Sequence, residues 1–172
     1  MTPSQLDQIK KDQRRSEAES LRTRGEYKEV VDALDKVFEV LPAGVSLAKG
    51  GVGELAMAHH LGHTLVDGDK GADARDSEGL LYEYKVSVTN QFNFNHGARR
   101  PEWQDNKETI ERHFQNIEGV WIGHREGMQI TEKAYLPTSI LLPNLLEHFE
   151  RTKGGQLTKN FRLKQFKELN NV

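Results

Sequence analysis

The chain has 172 residues, within the span of about 100–200 usual for one domain, so a compact domain with an appended arm is the starting expectation. Acidic side chains number 26 against 24 basic, apolar residues make up 35% and charged ones 29%, the profile of a soluble, rather polar globular protein. Cysteine is absent, which excludes disulfides, thiolate zinc sites, iron–sulfur clusters and cysteine nucleophiles, and leaves oxygen and nitrogen donors for any chemistry.

No stretch approaches the roughly 18 consecutive apolar residues of a spanning helix, and MTPSQLDQIKKDQRRSE lacks a signal-peptide h-region. A cytoplasmic protein that does not enter membranes is therefore expected. The near-zero net charge does not argue against nucleic acid, because the electrostatic footprint is a local patch.

Residues 4–24 are dense in Lys, Arg, Glu and Gln, reading as a solvated helix or an arm that needs a partner. After Gly25, the residues Tyr27, Val30, Val31, Leu34, Val37, Phe38 and Leu41 fall at helical spacing, and Pro42 follows as a stop. The apolar face Val30–Leu41 is either core or a dimer contact. Next, KGGVG lacks the Gly-Lys-Ser/Thr of a phosphate loop, and ELAMAHHLGH reads as a helix starting near Gly53 or Glu54. His59, His60 and His63 have a spacing that can bind zinc. The metalloprotease glutamate and a third ligand are lacking, so packing against the sheet or a phosphate contact is the preferred reading.

From Thr64 the period changes to two, and TLVDGDKGADARDSEGLLYEYKVSV predicts short strands around a turn at DSEG. Leu81, Glu83, Lys85 and Ser87 fall on one face, with Tyr82, Tyr84, Val86 and Val88 on the other. TNQFNFNHGARRPEWQ shows no period and predicts a long exposed loop. A helix over 106–115 follows, then a hairpin turning at Glu126-Gly127, a helix in PTSILLPNLLEHFERT with Pro137 near its first turn, and a basic tail with a final short helix. This order suits an α/β or α+β domain, with a mixed central β-sheet flanked by helices.

The chemistry-bearing constellation is Asp73, Glu83 and Lys85 in GADARDSEGLLYEYK. Glu83 and Lys85, two apart on a strand, emerge on one face, and Asp73 reaches them if the DSEG turn folds its strand back. Two carboxylates and an ammonium are the parts that phosphodiester hydrolysis with a hard divalent cation needs. The carboxylates supply oxygen ligands, while the lysine orients or deprotonates the attacking water and offsets developing charge. A solvated strand face laced with salt bridges would carry the same residues. Asp76 leaves a shorter interval to Glu83 and is read as a turn residue or an outer support.

The Gly71-Ala72-Asp73 and Glu83-Tyr84-Lys85 pair, ten residues from acid to acid, resembles the PD-(D/E)XK nuclease signature. The run from Gly50-Gly51 to DGDKGADARDSEGLLYEYKVS, and later GVWIGHREGMQITEKAYLPTSILLPNLLEHFERT, is similar to the PvuII-like type II restriction endonucleases over roughly residues 50–153. The resemblance implies a restriction-endonuclease-like fold, with residues 1–42 as an N-terminal helical arm and 43–172 as the nuclease core. It implies Mg2+ as cofactor, Asp73 and Glu83 as metal ligands, the backbone carbonyl of Tyr84 as a further ligand, and Lys85 as the catalytic lysine. One position departs from the family: Lys70 stands where an acid is expected. Either Asp67, Asp69 or Glu54 supplies that acid or Lys70 contacts phosphate. Glu54 is a possible accessory acid, or simply an acid favourable to a helix N-terminus.

After this strand, NQFNFNHGARR carries the vocabulary of base recognition, since Asn pairs bidentately with adenine and Arg with guanine. Asn93, Asn95, His96, Arg99 and Arg100 are the candidates for reading DNA, with Phe92 and Phe94 as core anchors in the plainer reading. From Arg151 to Lys167 the chain carries Arg151, Lys153, Lys159, Arg162, Lys164 and Lys167 with no acid between them, a solvated tail or a contact to the DNA backbone. The expectation is a type II restriction endonuclease, a homodimer cutting a short palindromic duplex site, with a cognate DNA methyltransferase protecting the host. A structure-specific repair or recombination nuclease and a non-catalytic DNA-binding module are the alternatives.

Overall fold

The computed structural model describes residues 51–66 and 71–170, together with Glu29, Asp32, Ala33, Lys36 and Glu39. The chain divides into two units, Met1–Leu41 and Pro42–Val172. In the first, the five described residues are helical. The side chains of the expected dimer face, from Val30 to Leu41, and Lys70 with its neighbours Asp67 and Asp69 lie outside the described residues.

In the second unit the chain runs α1 (Val52–Leu61), β1 (Thr64–Leu65), β2 (Ala74–Arg75), β3 (Leu81–Ser87), β4 (Phe92–Ala98), α2 (Trp103–Phe114), β5 (Ile117–Glu126), β6 (Gln129–Pro137), α3 (Thr138–Arg151), β7 (Gln156–Phe161) and α4 (Leu163–Leu169). Five strands form one mixed sheet in the order β1-β2-β3-β5-β6. Only β3 and β5 are parallel, with Glu83 beside Val120 and Lys85 beside Ile122, and this pairing needs a crossover, which β4 and α2 supply. The expected mixed sheet flanked by helices is thus the observed architecture.

The two faces of the sheet are covered differently because the sequence offers different side-chain sizes. Helix α1 buries the small residues Gly53, Ala56 and Ala58 with Met57, and so approaches β3 closely. A Cβ on Gly53 would stand 2.8 Å from Val86 Cβ, which explains the glycine-rich entry to this helix. Gly62, at φ 71, ends the helix in the left-handed conformation that glycine adopts without strain. On the opposite face lies the main core, with Ile110, Phe114, Val120, Ile122, Leu136, Leu141, Leu145 and Phe149 all buried.

Two expectations are corrected here. The stretch after Asn90 is not an irregular loop: Phe92 and Phe94 are buried while Asn93 and Asn95 are exposed, the alternation of a half-buried strand. The periodicity is hidden in sequence because its polar partners are asparagines, which are usually loop formers. Nor is the end of the chain a tail. Strand β7 pairs antiparallel with β4, Phe92 to Phe161 and Asn93 to Asn160, forming a two-stranded ribbon. Leu157, Phe161, Leu163 and Phe166 enter the main core. Several of the basic side chains between Arg151 and Lys167 pair with acids of the same unit, Arg151 with Glu147 and Lys164 with Glu168 one turn away, and Lys167 with Glu132 on β6. Helix α2 also begins a turn earlier than expected. Buried Asn106 binds the Arg100 amide and the carbonyls of Arg100 and Glu102, which secures the turn that leads into it.

If the C-terminal segment is core, Phe166→Ala lowers unfolding stability by about 3–5 kcal/mol. A urea titration checks this; a change within about 0.5 kcal/mol, the range of a surface substitution, would return the segment to a tail.

Candidate functional site

Strand β3 places Glu83 and Lys85 on the face away from α1, as period two requires, and the structure pairs them directly: Lys85 Nζ donates to Glu83 Oε1. Glu83 is 5% exposed, one of the two buried polar residues among those described, and its second oxygen, Oε2, lies 2.8 Å from His113 Nε2 on α2. Burial alone would raise the Glu83 pKa, but the Lys85 ammonium and the His113 hydrogen bond outweigh it and bring it down to about 2. The carboxylate is therefore ionised at neutral pH and accepts from both partners. Burial likewise pulls the Lys85 pKa down, and Glu83, Asp73 and Glu54 together reverse the direction, so the side chain stays an ammonium.

Asp73 reaches the same strand by a different route. Its amide donates to the Tyr82 carbonyl at 2.9 Å, and its Oδ2 accepts the Tyr84 amide at 2.6 Å, so the side chain lies along the outer edge of β3. The DSEG turn brings it there, with Asp76 Oδ1 accepting the amides of Glu78 and Leu80 and Oδ2 accepting the Tyr82 hydroxyl. Asp76 is thus the turn residue. The Asp73 pKa rises to about 7, first through burial and further through Glu54 and Glu83, against the opposing Tyr84 amide and Lys85. Glu54, in the first turn of α1, is raised by burial and feels both Lys85 and Glu83. Among the described residues, three carboxylates and one ammonium therefore share this end of β3.

Glu83 and Lys85 open into a cavity of about 350 Å³ lined also by Phe94, Asn95, His96, Thr109 and His113. The ribbon forms one wall, with Lys85 Nζ 5.9 Å from the Phe94 ring centre. Among the described residues, no three His, Asp or Glu side chains already stand together in metal-binding positions.

The candidates for reading DNA separate into two groups. Asn93 and Asn95 are on the exposed face of the ribbon, and Arg100 is exposed beyond its end. The Asn93 Nδ2 donates to Asn160 Oδ1 at 2.9 Å, so a third asparagine, unseen in the sequence reading, joins that face. His96 follows Phe92 and Phe94 inward instead, its ring packed on His113, Phe114 and Phe149. Burial, then His113, lowers its pKa to about 4. Arg99 is withdrawn altogether: its guanidinium donates to the carbonyls of Phe149, Thr152 and Gly154 and closes the C-terminus of α3. These two corrections follow from a register shift between Asn95 and Ala98, where Asn95 Oδ1 takes the Gly97 amide and Gly97 adopts φ 88.

Two of the three histidines at and just beyond the end of α1 have partners in the fold. His63 Nδ1 binds the Tyr84 hydroxyl at 2.7 Å, and His60 Nε2 accepts from Lys133 Nζ at 2.6 Å. Sequence reading missed His113, Thr109 and Asn160. The first two are one turn apart on the helix expected after β3, which is the signal that was available; nothing local pairs Asn160 with Asn93.

No family model matches the chain, and no curated protein matches it at a significant level. Among the described residues no helix is long and apolar enough to cross a membrane.

Because Asp73 binds its proton more tightly in the folded chain than its ordinary value of 3.8, it favours folding below that pH, and the contribution is lost as pH rises through about 7. Asp73→Asn is accordingly more stable than the parent at pH 8 in metal-free buffer, with the gain vanishing near pH 4, as urea midpoints at the two pH values will show.

Proposed function

We propose that the protein is a Mg2+-dependent endodeoxyribonuclease of the PD-(D/E)XK superfamily, similar to the PvuII-like type II restriction enzymes, acting as a homodimer on a short palindromic duplex site. The observation that carries this reading is the convergence of Asp73, Glu83 and Lys85 at one end of β3, beside a ribbon that displays asparagine amides. The donor chemistry fits the ion: carboxylates of Asp73 and Glu83 and the Tyr84 carbonyl are hard oxygens, and their charge exceeds that of the single lysine. When bound there, Mg2+ supplies Lewis-acid polarisation of the phosphodiester.

The remaining work belongs to the chain. Lys85, kept protonated by the acids around it, donates from Nζ to a phosphate oxygen and offsets the charge that develops as the bond breaks. Glu83 holds that ammonium in place, and its burial keeps water from competing. Asp73 stays anchored through the Tyr84 amide, which fixes the edge of β3 that faces the substrate. Glu54 adds negative charge from α1 and is the accessory acid.

A two-stranded antiparallel ribbon has the dimensions to enter the major groove, where Asn side chains pair with adenine edges. Asn93, Asn95 and Asn160 form the reading face in this account, with Arg100 at its end. Two copies related by a two-fold axis match a palindrome and cut both strands, one site per subunit. A cognate methyltransferase would protect the host's own sites.

Incubation of a long unmethylated DNA with the purified protein tests the proposal, in Mg2+ or EDTA and beside Lys85→Ala. Discrete fragments that need Mg2+, with a loss of rate of about 10²–10³ or more in Lys85→Ala at undiminished DNA affinity, are expected. DNA left intact, or binding without turnover, would leave a non-catalytic DNA-binding module; cleavage confined to branched or flapped substrates would point to repair.

A further inference from the structure

One side chain at the heart of the site has no part in the signature: His113. It sits in the last turn of α2, far from β3 in sequence, yet its Nε2 lies 2.8 Å from Glu83 Oε2. With Oε1 taken by Lys85, Oε2 is the oxygen left to accept from the Nε2–H tautomer of His113. The same imidazole lies beside the segment that leads into the other acid. Gly71, two residues before Asp73, packs beside it: a Cβ there would stand in van der Waals contact, 3.4 Å from His113 Nδ1 and 3.6 Å from the His113 carbonyl oxygen, and Gly71 holds φ +79. Two further rings pin the imidazole edge-on, His96 with centres 5.2 Å apart and Phe114 at 4.8 Å.

We propose that His113 is the positioning residue of this site, tying Glu83 to the Gly71 segment that leads into Asp73 so that both acids are held for one divalent cation. The inference rests on the nuclease reading above. Without the imidazole, Glu83 keeps Lys85 as its strong partner and is free to rotate onto it, and the segment leading into Asp73 loses the ring it packs beside. Outer hydrogen bonds of this kind orient ligands before the ion arrives, and removing one typically costs about 10–100-fold in metal affinity or activity.

The test compares the full-length parent with His113→Phe, which keeps a packed ring without the donor, His113→Gln, which restores an N–H at similar reach, and Glu83→Ala. Mn2+ binding is measured by calorimetry in the absence of DNA, and folding is checked by urea unfolding in EDTA. Cleavage is then followed against Mn2+ concentration at saturating DNA. His113→Phe is expected to bind Mn2+ about 10–100-fold more weakly, with its half-maximal Mn2+ for cleavage raised in step, and His113→Gln to recover most of both. Parent-like Mn2+ affinity in His113→Phe, or an equal loss in Phe and Gln variants, overturns the positioning role and leaves the nuclease reading standing. A parent that binds Mn2+ no better than Glu83→Ala overturns the nuclease reading itself, and this inference with it.

Discussion

The burial of the Glu83 carboxylate against the sheet, with a half-buried lysine as its partner, is the constraint on which the rest of the unit depends. Glu83 lies on a strand with neighbours on both sides, and withdrawing such a carboxylate from water costs several kcal/mol unless partners repay it. The pairing with Lys85 and the His113 hydrogen bond compensate that loss, and they do so only if β3, β4 and α2 keep their relative places. An ion pair of this kind is weak evidence for stability, since apolar replacements of similar size are often neutral. A pair kept at that cost, opening on a cavity and flanked by two more acids, has the character of a working site.

The same site shows charge that folding does not neutralise. Among the described residues Asp73 and Glu54 stand near Glu83 with Lys85 to balance them, and the Asp73 pKa rises because burial and the neighbouring acids oppose ionisation. Strain of this electrostatic kind lies at one end of β3, in contrast to the buried amide of Asn106, which is satisfied by three hydrogen bonds. The contrast separates polar groups that serve the fold from those held against it.

Much of the architecture was legible in the chain. The helix of ELAMAHHL, the DSEG turn, the hairpin at Glu126-Gly127 and the helix after Pro137 are all governed by contacts a few residues apart, and all are found near their expected bounds. The core role of Phe92 and Phe94 was visible as an alternative. What misled was composition: asparagines argued for a loop where alternation made a strand, and a run of lysines and arginines argued for a tail where Phe161 and Phe166 are core.

By itself the sequence determined which chemical groups exist, their spacing along each element, and hence that Glu83 and Lys85 share a face. Those are consequences of backbone period and need no knowledge of distant residues. Only the tertiary structure decided that His113 reaches Glu83, that Asn160 lies beside Asn93, that His96 turns inward and that Arg99 closes a helix. Each of these joins segments whose approach is set by the β3-to-β5 crossover and the β4–β7 pairing. Such approach depends on how whole elements fill the core, and no local pattern encodes it.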